Sequence, residues 1–339
     1  MVKVLVTGGA GFIGSNFVRY VLGAHPDWHV TTLDKLTYAG RLENLKEVLD
    51  HPRHTFVHGD IIDPSVSAPL VAESEVIVHF AAETHVDRSI QGAGEFITTD
   101  VYGTFVLLDA ARTAPRLRRF IQISTDEVYG SVAEGLSREG DELRPRNPYA
   151  ASKAGADRLA YSFWATYGVP VVIVRSSNNY GPNQFPEKII PLFITNAIDR
   201  FPVPLYGDGQ YVRDWLHVSD NCRAIDMLVE RGTPGDAYNV GGGNEVVNLD
   251  LTKRILDLVD RPESLVQRVT DRVGHDRRYA LDSSKIRALG WQPEIPFDEG
   301  LRSTIAWYQQ NEWWWRPIKE RDEQYRAYYH AQYGQRTSS

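Results

Sequence analysis

Residues 2–7 (Val-Lys-Val-Leu-Val-Thr) run directly into Gly8-Gly9-Ala10-Gly11-Phe12-Ile13-Gly14, and this junction limits what the chain can become more than any other stretch. An apolar, β-branched run, then glycines at 8, 11 and 14, then a helical pattern over 12–22, is the strand–turn–helix opening of a dinucleotide-binding βαβ unit. The first glycine makes the tight turn, the second lets a pyrophosphate approach the backbone, and the third lets helix and strand pack closely. The helix start, with Phe12 and Ile13 in its first turn, then offers free N–H groups to phosphate. Asp34 ends the next expected strand, twenty residues past Gly14, where a carboxylate accepts both hydroxyls of a ribose. Such a carboxylate repels a 2′-phosphate, so the pattern predicts NAD over NADP, and Lys35 beside it weakens the preference. Asp60, at the end of a third strand, is placed to reach the adenine side. The alternative left open is a plain glycine turn with a strand-end cap.

The first half continues the alternation that the junction starts. Expected strands at 2–7, 30–34, 55–59, 76–80, 120–124 and 171–175 are separated by helical patterns near 12–22, 95–113 and 149–167. Nearly continuous apolar runs such as Val76-Ile77-Val78 and Val171-Val172-Ile173-Val174 are those of strands buried on both faces. The fold expected is α/β: a Rossmann-type doubly wound parallel sheet. After about residue 176 the alternation loosens, with helical stretches at 189–199, 219–231, 249–259 and 297–310, and a short strand at 237–240. These predict a smaller α/β substrate-binding lobe, with the chain crossing between lobes more than once. The expected division is 1–176 with about 212–240 in the NAD-binding domain, about 177–211 with 241–310 in the second lobe, and 311–339 as an aromatic C-terminal tail. That tail holds Trp313, Trp314 and Trp315, then Tyr325, Tyr328, Tyr329 and Tyr333 at helical spacing. Packing on the body or on a partner is one reading of it, and a membrane-surface helix is the other.

Composition removes several classes of function. The 339 residues carry 37 basic and 44 acidic side chains, a net charge of −7, so a global cationic face for nucleic acid is absent. No run approaches the roughly 18 apolar residues of a membrane span, and the N-terminal apolar stretch is too short for a signal peptide. A soluble, cytoplasmic protein without a membrane partner is expected. The single cysteine, Cys222, makes neither an intramolecular disulfide nor a Cys-rich zinc site, and the ten histidines form no convincing ligand set, so no metal is expected.

Two further stretches carry chemistry. Tyr149 and Lys153 stand at i,i+4 spacing at the start of a helix, on one face. An ammonium and a cationic cofactor ring near the phenol would lower its pKa and make it a base for a sugar hydroxyl, although such pairs also arise on ordinary helix surfaces. Ser124-Thr125-Asp126-Glu127-Val128-Tyr129-Gly130 lies at the carboxyl end of an expected buried strand, where α/β sheets build active sites. Thr125 can donate to a reacting oxygen. Unequal surroundings for Asp126 and Glu127 would leave one as acid and the other as base; a solvated acidic turn is the bland alternative.

Together with these motifs, Leu33-Asp34-Lys35-Leu36-Thr37-Tyr38-Ala39-Gly40, the stretch His79 to Ser89, Ser177-Asn178-Asn179-Tyr180-Gly181-Pro182, Phe185-Pro186-Glu187-Lys188, Arg213-Asp214-Trp215 and Gly274-His275-Asp276-Arg277-Arg278 carry a resemblance. The chain resembles the extended short-chain dehydrogenase/reductases that act on nucleotide sugars and, within them, the dTDP-glucose 4,6-dehydratase family. The resemblance implies tightly bound NAD and dTDP-glucose as substrate. It implies that Tyr149 takes the C4 hydroxyl proton, with Thr125 assisting and Lys153 orienting the ribose, while C4 gives up its hydride. Glu127 would then remove the C5 proton, Asp126 would protonate the departing C6 hydroxyl, and the hydride would return to C6. NAD contacts are implied for Gly8, Gly11, Phe12, Ile13, Gly14, Asp34, Lys35, Thr37, Asp60, Ile61, Ala81, Ala82, Thr99, Tyr149, Lys153 and Asn179. Substrate contacts are implied for Thr84, Thr125, Asn178, Lys188, Ile189, Arg213, Asn248, Arg272 and His275, with Pro204 and Tyr206 flanking the base. Thymine over uracil rests on the resemblance alone, as does a homodimer through the helices at 95–113 and 149–167. A 4,6-dehydratase for another nucleotide sugar, a UDP-sugar 4-epimerase and a silent nucleotide-sugar sensor remain as alternatives. Val273 stands where the family commonly has proline, Thr84 where it often has serine, and the chain past about 311 has no secure counterpart.

Overall fold

Residues alternate sides along a strand, so a strand covered on both faces must be apolar throughout. The chain shows this directly. Val4 and Val6 point into one core with Val172 and Val174, whereas Leu5 points into the opposite core with Val171 and Ile173. The computed structural model describes residues 1–334, so the last five residues of the tail expected over 311–339 lie outside the described residues.

Among the described residues twelve strands form: β1 (Val2–Thr7), β2 (Trp28–Asp34), β3 (His54–His58), β4 (Val76–His79), β5 (Arg119–Thr125), β6 (Val171–Ser176), β7 (Asn178–Tyr180), β8 (Val203–Tyr206), β9 (Val212–His217), β10 (Ala237–Val240), β11 (Glu245–Val247) and β12 (Val266–Val269). Seven of them make one sheet in the order β10-β6-β5-β4-β1-β2-β3, parallel at every pairing. This is the doubly wound Rossmann-type sheet. The strand order reverses about β1, whose neighbours are β2 and β4, and the crevice for a ligand opens at the carboxyl ends there. Helices Phe12–Ala24 and Val218–Arg231 cover one face through Phe17, Val21, Ile225 and Leu228. Helices Thr104–Ala111 and Pro148–Tyr167 cover the other through Leu107, Leu108 and Phe163. Outside this sheet lie a three-stranded sheet, β11-β9-β7, and a two-stranded one, β12-β8.

The single helix expected over 95–113 is instead three pieces: one turn at Gly94–Phe96, a π-helical stretch at Ile97–Gly103, and an α-helix at Thr104–Ala111. Such wide turns are common at functional sites. Here the wide turn holds a buried carboxylate, Asp100, which accepts from the Glu83 backbone N–H (2.8 Å) and the Ser152 hydroxyl (2.6 Å). The tail also has a definite structure. Helices Glu312–Arg321 and Glu323–Tyr333 bury Trp314, Trp315, Ile318 and Tyr325 in a second core with Tyr180, Phe193, Trp215 and Leu301. Both buried indoles find acceptors, Trp314 on Asn44 Oδ1 and Trp315 on the Tyr308 carbonyl, each at 2.8 Å. No helix among the described residues is long and apolar enough to cross a membrane.

Candidate active site

The first turn after β1 is shaped by backbone contact. Gly8 has φ of +70°, and a Cβ there would lie 2.5 Å from the Ala81 nitrogen. A Cβ on Gly14 would lie 2.3 Å from the Gly8 carbonyl oxygen and 2.8 Å from Gly9 Cα, so only glycine lets the helix approach the strand this closely. Gly14→Ala is therefore expected to destabilise the protein by about 1–3 kcal/mol and to strip nucleotide from the purified protein. Thermal unfolding and the nucleotide absorbance of the released cofactor check both effects. Gly11 opens helix Phe12–Ala24 without a side-chain cap, which leaves the first-turn N–H groups for a ligand.

Asp34 is held in place from its own side. Its two carboxylate oxygens accept from Ala10 N (2.9 Å) and Leu36 N (2.8 Å), while burial pushes its pKa upward. Lys35 turns to Asp60, Nζ to Oδ2 at 2.7 Å, so its charge is engaged and offers less to a 2′-phosphate than the sequence implied. The same cavity, about 300 Å³, takes in the whole set named for NAD, from the glycine turn past Asp34, Ile61 and Ala82 to Thr99 and Asn179. Buried polar atoms without protein partners line it, including Ser124 Oγ, Asn178 Oδ1 and Asn179 Oδ1. An uncapped helix start, a pre-set carboxylate and unused buried acceptors together fit a dinucleotide such as NAD.

β5 ends at Thr125, and the chain turns at once into a 3₁₀ segment, Asp126–Tyr129. Thr125 Oγ1 donates to Asp126 Oδ1 (3.1 Å) and accepts from Glu127 N (3.3 Å). Asp126 is buried, and its Oδ2 has no partner. Burial first, and the neighbouring Glu127 second, push Asp126 up to about 8. The two carboxyls therefore do have unequal environments, with Asp126 on the protonated side at neutral pH. Asn147 joins this turn to the next helix: its Oδ1 caps Ala150 N at 2.8 Å and its Nδ2 donates to Glu127 Oε2 at 3.3 Å. Asn-Pro is a helix-start signal, and helix Pro148–Tyr167 then brings Tyr149 and Lys153 into the cavity with Thr125, Asp126 and Glu127. A buried ion pair, Arg175 to Asp157 at 2.8 Å, pins that helix to β6.

The protein's own groups act on the Tyr149 phenol mainly in one direction. Burial, then the carboxylates of Glu127 and Asp100, push it well above its ordinary value, with only the Thr125 hydroxyl pulling it down among the protein's own groups. Lys153 Nζ donates to the Ile123 carbonyl (2.7 Å); burial pulls its pKa down, and the Asp100 and Asp157 carboxylates hold its charge in place.

The residues named for the substrate divide. Thr84, Asn178 and Lys188 line the same cavity, with Lys188 Nζ on the Thr84 carbonyl at 2.6 Å. Ile189, Pro204, Tyr206, Arg213, Asn248, Arg272 and His275 lie outside that cavity. Arg213 still acts on the acidic pair, its charge opposing the upward shift of Asp126; its guanidinium lies 4.4 Å over the Tyr279 ring, whose Oη donates to Asp276 (2.7 Å) and lies 3.4 Å from Glu127 Oε2. Tyr206, Arg272 and His275 form a separate cluster: Arg272 lies 5.1 Å over the Tyr206 ring, and His275 meets that ring edge-on at 5.9 Å. Asn248 joins through Tyr211, whose carbonyl accepts from Asn248 N and whose ring stacks on His275 at 3.7 Å. Burial and the Arg272 and Arg213 charges push His275 down to about 3, so in its 2.8 Å contact with the Asp271 carboxylate the imidazole is uncharged. Ile189 and Pro204 are packing positions, Ile189 on the second core and Pro204 in the β8–β12 pair. Among the described residues no cluster of three or more His, Cys, Asp or Glu side chains stands ready for a metal ion.

Sequence reasoning missed Asp87, Asp100, Asn147 and Tyr279. Only Asn147 carried a local signal, the residue before a helix-starting proline. Each of the other three also has a partner 52 or more residues away (Ser152 for Asp100, Glu127 for Tyr279, Arg272 for Asp87), which no local pattern reports.

The pH dependence follows from Asp126. A carboxyl gives up a proton only while protonated, so any step that draws a proton from Asp126 is expected to slow as the pH rises through about 8. A carboxyl raised in the folded state contributes its full stability only below the ordinary carboxylate range, and that contribution is gone once the pH passes about 8. Asp126→Asn should therefore melt higher than the parent at pH 8 and no higher at pH 4, as thermal melts at the two pH values will read.

The chain is similar to known proteins over most of its length. The sequence profile described as GDP-mannose 4,6 dehydratase matches residues 5–304. The chain is 54% identical over 305 residues to the low-salt glycan biosynthesis protein Agl12 of Haloferax volcanii, covering 90% of this chain and 98% of that protein. It is 51% identical over 319 residues to a dTDP-glucose 4,6-dehydratase of an Actinoplanes species, covering 92% of this chain and 99% of the relative. The crystal structure of DesIV, a dTDP-glucose 4,6-dehydratase from Streptomyces venezuelae with NAD bound, superposes with a TM-score of 0.92 at 51% identity, over 94% of this chain and all of that one. The chain belongs to the GDP-mannose 4,6 dehydratase family.

Proposed function

We propose that the chain is a hydro-lyase that converts dTDP-glucose to dTDP-4-dehydro-6-deoxyglucose with tightly held NAD. One observation carries this reading: a buried Asp126, its pKa pushed up, beside Glu127, both in one cavity with Thr125, Tyr149 and Lys153. A 4-epimerase needs no acid for a departing C6 hydroxyl, so the pair speaks for dehydration. The family name cites GDP-mannose, whereas relatives at about half identity over nearly the whole chain are named for dTDP-glucose, and we assign the base accordingly.

Bound NAD supplies the hydride acceptor for C4, the hydride donor for C6 and a cationic ring that opposes the upward shift of the Tyr149 phenol. Tyr149 takes the C4 hydroxyl proton, and Thr125 steadies that oxygen. Lys153, anchored on the Ile123 carbonyl, orients the ribose beside it. Once C4 is a ketone the C5 hydrogen is acidic, and Glu127, held by Asn147 and Tyr279, removes it. Asp126 gives its proton to the C6 hydroxyl, which leaves as water. Reprotonation of C5 by Glu127 completes the product. Lys188 and Arg213 supply positive charge for the diphosphate, and Tyr206, Asn248, Arg272 and His275 read the nucleoside end. In this reading residues 1–176 and about 212–240 hold NAD, and about 177–211 and 241–310 hold the sugar nucleotide.

We further assign a homodimer and the cytoplasm. Ile97, Tyr102 and Phe105 stand exposed beside Tyr161 and Tyr167 of the neighbouring helix, an apolar face suited to a four-helix contact with a second copy. Light scattering should give twice the chain mass. For the reaction, the purified protein is incubated with dTDP-glucose and with UDP-glucose separately, without added NAD. A 4-keto-6-deoxy product from dTDP-glucose is expected. Product from neither sugar nucleotide would overturn the reading, and product from UDP-glucose alone would overturn the base assignment.

A further inference from the structure

The last helix, Glu323–Tyr333, buries Tyr325, Tyr328 and Gln332 on one face. Gln332 is 1% exposed. A buried carboxamide needs partners, and its Nε2 donates to Tyr206 Oη. That phenol in turn donates to Asp87 Oδ2 at 3.2 Å. The same Asp87 oxygen accepts from Arg272 Nη2 at 2.9 Å and from Tyr328 Oη at 3.5 Å. Tyr328 also meets His85 edge-on at 5.3 Å and supports the Arg88 guanidinium 4.7 Å over its ring. Tyr206 is thus gripped from two sides, by Gln332 from the tail and by Asp87 from the NAD lobe. Arg272 shares the second grip. Its Nε is buried and has no protein partner, which leaves a charged donor for an anionic ligand.

We propose that the C-terminal helix is a positioning element of the nucleotide subsite: Gln332 and Tyr328 hold Tyr206 and Arg272, through Asp87, in the orientation that grips the nucleoside diphosphate. The proposal rests on the reading of the function given above, which makes Tyr206 and Arg272 nucleotide contacts. The helix touches neither Tyr149 nor the carboxylate pair. Its influence falls on binding and leaves the chemical steps alone, so it acts on KM and not on kcat.

The test uses the full-length protein and measures dTDP and UDP affinity by calorimetry together with steady-state kinetics. Gln332→Ala should weaken dTDP binding and raise the KM for dTDP-glucose by about tenfold, the value of one lost buried hydrogen bond, with kcat unchanged. Tyr328→Phe, which keeps the ring under Arg88 and loses only the hydroxyl, should move the same two quantities less. Trp313→Ala, on the exposed side of the tail, is the control and should move neither. Unchanged dTDP affinity in Gln332→Ala overturns the proposal, and so does a fall in kcat matched by a fall in melting temperature with KM intact. Binding needs no turnover, so the two readings fail separately. If the parent protein binds neither dTDP nor UDP, the functional reading fails. If parent and Gln332→Ala bind dTDP equally, only the positioning role fails.

Discussion

Replacing Tyr149 with phenylalanine should slow C4 oxidation by about 10³-fold while leaving NAD and dTDP-glucose bound, because a positioned acid–base group contributes roughly 10²–10⁴-fold. The substitution is well suited to the site. The ring of residue 149 packs edge-on against Phe96 at 6.4 Å, a contact that phenylalanine keeps. Lys153 retains its anchor on the Ile123 carbonyl, and Asn147 still caps the helix, so neither depends on the phenol. What disappears is the one oxygen placed among Thr125, Glu127 and Asp100 to receive a proton. Phenylalanine also leaves no hydroxyl beside the Glu127 and Asp100 carboxylates, and the variant should melt no lower than the parent. Single-turnover measurement of reduced nicotinamide absorbance reads the oxidation directly. A variant that oxidises at the parent rate would place the base elsewhere, with the Thr125 hydroxyl as the next candidate.

The second large effect separates the later steps from the first. In Asp126→Asn and Glu127→Gln, dehydration is expected to fall by about 10²-fold or more, with oxidation at C4 slowed far less. Reduced nicotinamide should then accumulate on the variants and not on the parent, since the hydride waits for a C6 carbon that never opens. Asparagine is close in shape to the protonated aspartic acid present below about pH 8 and can still accept from Thr125, so the loss is one of proton supply and not of folding. Glu127→Gln removes the base held by Asn147 and Tyr279, and the exchange of the C5 hydrogen with solvent should stop with it. A substrate deuterated at C4 should give product labelled at C6 in the parent. Full dehydration rates in both variants would refute the role given to the pair.

Much of the cofactor half was readable along the chain because its signals are local. Glycines 8, 11 and 14 need only the strand before them and the helix after them, and Asp34 needs only its place at a strand end. The Thr125-Asp126-Glu127 run likewise declares itself at the end of a buried strand. The substrate half was less legible. Tyr206, Arg272 and His275 cluster apart from the main cavity, and the residues that hold them come from other parts of the chain: Asp87 lies 185 positions before Arg272. The tail was legible as a helix by its tyrosine spacing, but its partner was not. A pattern shows that Tyr325 and Tyr328 share a face; it contains nothing to say which surface receives that face.

By itself, then, the sequence determined the parallel sheet, the dinucleotide turn, the preference for a ribose-binding carboxylate, and the residue types of an oxidation–elimination site. Each depends on periodicity or on neighbours within a few residues, where backbone geometry leaves little choice. Only the tertiary structure decided how the acidic pair divides its protons, since that depends on Asp126 being buried and charged against by Glu127. It also decided that Lys35 pairs with Asp60, that Lys153 anchors on a carbonyl, and that Gln332 closes on Tyr206. These are matters of burial and long-range electrostatics, set by distances between groups far apart in sequence, and the chain acquires them only on folding.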